Sequence, residues 1–283
     1  MIRVPTLAWH RSVCAGLDDQ GASSGCAPDV GVRPRQQAGS MNSRPYDAVL
    51  FDLDGVLTPT AALHARCWKQ TFDVFLADWG RSTGTCPEPF DAERDYLAHV
   101  DGKLRDDGVR DFLRTRGIAT PEDGAETLVG AWSVQAIGMR KQAQVERALS
   151  YGGIQAYPGS VRWVRDLRNA GIHTAVVSSS TNATAVLRAA GIHEHFDAIV
   201  DGRDIERLGL SGKPAPDGFL EAARRLAIAP ARAIVVEDAL AGVAAGSAGG
   251  FGLVIGVARS ATPHELISAG ADAVVADLAE MLP

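Results

Sequence analysis

Apolar and polar positions along the chain follow two different rhythms. Short apolar runs at 48–51, 174–177, 198–200, 233–236, 253–257 and 273–275 have the length and β-branched content of buried strands. Segments 182–190, 216–227 and 239–248 read as helices between them, and a further helix follows Tyr157-Pro158-Gly159, capped by Ser160 and ended by Gly171. Thr262-Pro263 supplies a cap and an N1 proline for another. Strand and helix in alternation predict an α/β fold, a parallel sheet with helices on both faces.

The rhythm differs between residues 60 and 151. Leu63, Phe72, Phe75 and Leu76 recur at near-helical spacing, and helical segments are expected around 91–100, 107–116, 125–137 and 139–150, with no convincing strand among them. This predicts an α-helical domain over 60–151, inserted after the first strand and closed off by Gly152-Gly153. The α/β core then comprises 43–59 and 152–283. Residues 1–42 lack sustained periodicity and are rich in Gly, Ser, Pro, Arg and Gln after residue 20, so a disordered tail is expected, with Met41 as the functional start.

Size and composition narrow the function. A chain of 283 residues that is 46% hydrophobic and 22% charged is ordinary for a globular protein of about two domains. A net charge of -6 gives no general basic surface, which argues against nucleic acid as a partner. Cys14, Cys26, Cys67 and Cys86 show no CxxC spacing, so reduced thiols in the cytoplasm are expected rather than zinc or disulfides. The apolar segment 4–9 contains Pro5 and stops at His10-Arg11, too short for a secretion signal. The uncharged stretch 239–258 carries six glycines and reads as a helix, a break at Gly249-Gly250 and a strand, not as a membrane span. No membrane partner is expected, and the chain is expected to be a monomer or weak dimer.

Candidate chemistry sits where strands end, which is where open parallel sheets bind ligands. The first strand runs into Asp52-Leu53-Asp54-Gly55, the second into Ser178-Ser179-Ser180-Thr181-Asn182, and the strand at 233–236 into Glu237-Asp238, while Lys213 precedes Pro214. Four converging carboxylates, Asp52, Asp54, Glu237 and Asp238, are too repulsive to stay dry without a cation, and an all-oxygen set of this kind suits Mg²⁺. Lys213 is a point charge for phosphate, and Ser178 with helix-start N–H groups can donate to phosphate oxygens. The grouping reads as phosphoryl transfer. Asp52 is the expected nucleophile, forming an aspartyl-phosphate, and Asp54 the expected general acid and base. Gly242 and Gly246 lie inside a predicted helix and lack dinucleotide-loop order, so close helix–sheet packing is their expected role. His193, Glu194 and His195 read as a solvated turn rather than a metal site.

These motifs resemble those of the haloacid dehalogenase-like superfamily of phosphotransferases: Phe51-Asp52-Leu53-Asp54-Gly55, then Ser178, Lys213 and Glu237-Asp238, across about 46–258. The resemblance implies a Rossmann-like core with a mobile helical cap, and Mg²⁺ held by Asp52, the Asp54 carbonyl, Glu237 and Asp238. Within the superfamily the chain is most similar to the β-phosphoglucomutase family, through His64, Trp68, Gly102-Lys103-Leu104-Arg105 and Arg140-Lys141. That likeness implies a phosphorylated sugar as partner, with Arg105 on the phosphate distal to the reacting one. It also implies His64 and Lys141 over the acid/base, and Ser180 and Asn182 near the cleft between core and cap. Pro59, Leu104 and Gln142 depart from the pattern and bear on sugar specificity. The activity so implied interconverts β-glucose 1-phosphate and glucose 6-phosphate through a 1,6-bisphosphate. The alternatives are a phosphatase acting on a small phosphorylated metabolite and a catalytically silent binding protein of the same fold.

Overall fold

The computed structural model describes residues 45–119, 132–151 and 153–282. The tail expected over 1–42, the start expected at Met41 and Gly152 of the expected glycine break lie outside the described residues. So do Cys14 and Cys26 and most of the helix expected over 125–137.

Strands β1 (Ala48–Phe51), β2 (His173–Val177), β3 (Ala198–Val200), β4 (Ala233–Glu237), β5 (Leu253–Val257) and β6 (Ala273–Val275) form one sheet in the order β3-β2-β1-β4-β5-β6. Every pairing is parallel, and Ala48 of the central β1 is in register with His173 on one side and Ala233 on the other. The order reverses at β1, so the carboxyl ends of β1, β2 and β4 meet at a topological switch point.

The two-residue period of β1 explains the layers. Ala48 and Leu50 join a buried cluster with Phe219 of α7 (Asp217–Arg225) and Val243 of α8 (Leu240–Ala248). Phe51 points the other way and meets Trp163 of α4 (Pro158–Asn169) edge-on, ring centroids 5.4 Å apart. Helices α5 (Ala183–Ala189) and α9 (Pro263–Ser268) fall where expected, and α9 carries a full capping box between Thr262 and Glu265.

Two local features differ from the expected pattern. Helix α4 begins at Pro158, not at a Ser160 cap; Ser160 lies inside its first turn and donates to the Val56 carbonyl at 2.7 Å, tying the helix to the segment after β1. Helix α6 (Gly202–Leu208) was not anticipated: Asp201 caps it through the N–H groups of Arg203 and Asp204, and Gly209 ends it. Gly246 packs on Val235 and Val254 of the sheet, as expected, and the Cβ of a residue at Gly242 would lie 1.6 Å from a Glu237 carboxylate oxygen. Glu237 is the last residue of β4, so Gly242 too allows the helix to pack closely on the sheet, as expected.

Between β1 and α4 the described chain is helical: α1 (Ala61–Thr83), a π-helical turn (Tyr96–Val100), α2 (Arg105–Thr115) and α3 (Val134–Ser150). Helix α3 runs unbroken through Gly138, joining the end of the segment expected over 125–137 to the one expected over 139–150. Only the second half of the expected 91–100 helix is regular. A second buried cluster is built within this segment from Trp68, Phe72, Phe75, Phe90, Phe112 and Ile137, among others, with the rings of Phe72 and Phe112 4.3 Å apart. Aromatic side chains bury large areas each, which suits a small helical layer needing its own core. Among the described residues no helix is long and apolar enough to cross a membrane.

Candidate active site

Asp52 follows β1, and its N–H continues the ladder by donating to Val236 O at 2.9 Å. Strand geometry therefore holds its backbone while its side chain leaves the sheet. Glu237 is the last residue of β4 and Asp238 the next. One carboxylate oxygen from each of Asp52, Glu237 and Asp238 lies within 4.8 Å of the other two, and all three side chains are buried. Lys213 reaches into this group from the loop before α7, donating to Asp52 Oδ1 at 2.5 Å, Glu237 Oε1 at 2.6 Å and the Val177 carbonyl at 3.2 Å. Burial opposes the Lys213 charge, but Asp52 and Glu237 raise its pKa above the ordinary lysine value.

One ammonium does not balance three buried carboxylates. Burial pushes the Asp52 carboxyl well up, with Glu237 and Asp54 adding to the effect against Lys213. Asp238 is pushed up as well, by burial and then by Asp101, Glu237 and Asp52, and its Oδ2 is buried with no hydrogen-bond partner. Gly55, at φ +93°, leaves the space that oxygen occupies, since a Cβ there would sit 1.9 Å from it. An all-oxygen set with an orphaned carboxylate oxygen fits a hard divalent cation, Mg²⁺ above the softer metals.

The Asp54 carboxylate turns away from that group. It accepts from the Thr60 hydroxyl, lies 3.4 Å from Ser178 Oγ and 3.4 Å from His64 Nε2, and His64 Nδ1 in turn lies 2.7 Å from Lys141 Nζ. Burial works against ionising Asp54, yet His64, Thr60 and Lys141 bring its pKa down to about 2. Lys141 is itself lowered to about 8, chiefly by burial and also by Arg105, while His64 is lowered by burial and then by the Lys141 charge. The two aspartates, two residues apart, thus meet opposite surroundings: Asp52 faces Lys213 and the carboxylates, and Asp54 faces hydroxyls, imidazole and Lys141.

Asp52, Asp54, His64, Arg105, Lys141 and Ser180 line one cleft, which holds about 640 Å³ of space partly open to solvent. Ser178, Lys213 and Glu237 are buried behind its wall. Arg105, the first residue of α2, is half-buried and held by Asp106 at 2.9 Å. Asn182 does not line the cleft. It exchanges two hydrogen bonds with Gln142 of α3, at 2.8 and 3.2 Å, and so joins the helical segment to the loop after β2. A second tie is the Ser179 hydroxyl, which donates to the Gly102 carbonyl at 2.7 Å, and a third is Leu104, packed against Gly212 and the core cluster. His193–His195 is a single 3₁₀ turn with His193 Nδ1 2.8 Å from Glu194, and neither histidine belongs to the carboxylate cluster.

Residue-by-residue reading missed Thr60, Tyr96, Asp101 and the bridging role of Gln142. Thr60 carried the only forewarning, a small hydroxyl residue six positions after Asp54. Asp101 and Tyr96 enter the cleft through the π-helical turn, which no spacing rule marks in advance.

A parallel sheet with this strand order carries an acid cluster at its switch point and a lysine bonded to the leading aspartate, a donor set suited to phosphoryl transfer. The model of the haloacid dehalogenase-like hydrolases matches residues 46–250, and the chain belongs to that family. It is 45% identical to a β-phosphoglucomutase of Mycobacterium bovis over 238 residues, 83% of this chain and 91% of the relative. It is 31% identical to hexitol phosphatase A of Escherichia coli, over 76% of this chain and 85% of that one. Among solved structures, CbbY from Rhodobacter sphaeroides in complex with phosphate superposes with a TM-score of 0.64 at 27% identity, covering 84% of this chain and 96% of the other.

Proposed function

We propose that the chain is a Mg²⁺-dependent mutase of a phosphorylated sugar, interconverting β-glucose 1-phosphate and glucose 6-phosphate through a 1,6-bisphosphate. The observation that carries this reading is the two-sided cleft. Asp52 and Asp54 line the core side, and Arg105 and Lys141 bring two cations from the helical segment opposite them. A phosphatase for one phosphate needs only the first side, whereas a bisphosphate has a second phosphate to hold, and a planar guanidinium suits that task. The 45% identity to a β-phosphoglucomutase supports the same choice. The likeness to a hexitol phosphatase favours hydrolysis as the second reading.

In this reading an Asp52 oxygen forms a bond to phosphorus as the bond from phosphorus to the sugar oxygen breaks, giving an aspartyl-phosphate. Asp52, Glu237, Asp238 and the Asp54 carbonyl would hold the cation, which would screen charge between nucleophile and phosphate. Lys213 neutralises phosphate from behind Asp52, and Ser178 donates to it. Asp54, kept ionised by His64 and Thr60, takes the proton of the incoming sugar hydroxyl and returns it to the leaving oxygen in the reverse half-reaction. His64 and Lys141 position Asp54. The helical segment over 60–151 acts as a cap that keeps water from the aspartyl-phosphate, and the ties through Gly102, Leu104 and Gln142 support its closed position.

The test is a chase. Enzyme with Mg²⁺ is exposed to radiolabelled glucose 1,6-bisphosphate, and half is quenched and digested while half receives unlabelled β-glucose 1-phosphate. Label on the Asp52 peptide that moves into sugar phosphate is the expected result. Label that leaves only as inorganic phosphate supports the phosphatase, and label absent from Asp52 rejects both.

A further inference from the structure

Gly138 lies within α3, on the buried face that also carries Val134, Ile137 and Lys141. Glycine is less favourable than alanine inside a helix, so its presence there asks for a reason. The backbone supplies none, because Gly138 is not among the glycines of positive φ and any residue could adopt its helical conformation. Space supplies one. A Cβ at Gly138 would lie 2.7 Å from Arg105 Nε, 2.9 Å from Asp106 Oδ1 and 3.0 Å from Arg105 Cδ. These atoms belong to one bonded pair, since Arg105 Nε donates to Asp106 Oδ1 at 2.9 Å.

Of these three residues only Arg105 lines the cleft, alongside Lys141. Its bond to Asp106 uses Nε, and neither Nη makes a hydrogen bond among the described residues. The plane of the guanidinium is thus set from one edge, while its terminal donors are left for an anion that can accept two hydrogen bonds. A methyl group at 138 would press on the Arg105 side chain and on the Asp106 oxygen together. The three atoms nearest to it all belong to side chains, which can turn aside without moving the backbone. The cost of such a methyl therefore falls on where the guanidinium points rather than on whether the protein folds.

We propose that Gly138 is a positioning residue for the second phosphate of the substrate: by leaving room for the Arg105–Asp106 pair against α3, it sets the direction in which Arg105 presents its Nη groups to the cleft. This rests on the bisphosphate reading above. Gly138 and Asp106 act only through Arg105 in this proposal, and neither touches the substrate.

The experiment is a double-mutant cycle between Gly138→Ala and Arg105→Ala, read as the Kd for glucose 1,6-bisphosphate with Mg²⁺. Every protein in the cycle carries Asp52→Asn, so that the ligand is not consumed. Hydrogen bonds to a charged group predict that Arg105→Ala weakens binding about 10- to 100-fold. Gly138→Ala is expected to weaken it about 10-fold where Arg105 is present and not at all where Arg105 is already alanine. Asp106→Ala, which releases Nε, should behave in the same non-additive way. Denaturant midpoints separate this from a packing defect: Gly138→Ala should not lower the midpoint of either parent, because alanine is the better helix former, and an equal fall in both backgrounds overturns the proposal. A Kd that Gly138→Ala leaves unchanged, or weakens equally with and without Arg105, overturns the proposal and leaves the bisphosphate reading standing. Binding that Arg105→Ala does not weaken removes Arg105 from the second phosphate and overturns both.

Discussion

Two aspartates two residues apart acquire different properties because their neighbours differ, and the neighbours come from distant parts of the chain. Lys213 reaches Asp52 and His64 reaches Asp54, yet the geometry depends equally on what is missing at Gly242. An alanine there would push its Cβ into the Glu237 carboxylate, which also bonds Lys213 and the Ala239 N–H at 2.8 Å. Gly242→Ala is therefore expected to lose about 1–3 kcal/mol of stability through overpacking and, by displacing Glu237 and Lys213 together, roughly 100-fold in kcat. Gly246→Ala, one turn further along and facing Val235 and Val254, should lose stability with much less effect on kcat. Denaturant unfolding and steady-state kinetics on both variants check this, and equal kcat losses would contradict it. At this scale Asp52, Asp54, Lys213 and Glu237-Asp238 were legible because each follows an apolar run or opens a helix. Gly138 was not, since its role lies in the space it leaves for Arg105, which only packing reveals.

Elements were legible where burial demands a pattern. All six strands appear in the sequence as apolar runs because both faces of a parallel sheet are covered, which forces apolar residues on successive positions. Helix α6 escaped notice because its seven residues bury only Gly202 and Ile205, too few to set a periodicity, although Asp201 and Gly209 mark its ends. It is fixed by polar contacts instead. Arg225 of α7 bonds Asp204 of α6 at 2.9 Å and the Ile199 carbonyl of β3 at 2.6 Å, while Glu221 holds Arg225 at 2.8 Å and Arg224 at 2.6 Å. Hydrogen bonds from Arg224 and Arg225 bring the Glu221 carboxyl down to about 2. A carboxyl depressed by folding stabilises the protein above its unfolded pKa, about 4.3, and loses that contribution as pH falls towards the folded value. With Arg224 exposed, the contribution is discounted to about 1 kcal/mol. Glu221→Gln should thus be less stable than wild type by about that amount at neutral pH. The gap should close as pH falls from above 4 towards 2, and a gap independent of pH in denaturant titrations would contradict the assignment.

The whole molecule places a helical segment with its own aromatic cluster over the carboxyl ends of the central strands. Its insertion after the first strand was legible as a change of period, but its contact with the core was not, because Gln142 meets Asn182 and Ser179 meets Gly102 across long stretches of chain. Those contacts bear on the choice between sugar and water as the acceptor, since in the proposed mechanism Asp52 could pass a phosphoryl group to either. We propose that closure of this segment makes the sugar the acceptor. The direct measurement is the product ratio at steady state, with Mg²⁺, β-glucose 1-phosphate and a trace of glucose 1,6-bisphosphate, following glucose 6-phosphate and free phosphate separately. Glucose 6-phosphate in large excess over free phosphate is the predicted result; free phosphate released without isomerisation would contradict it.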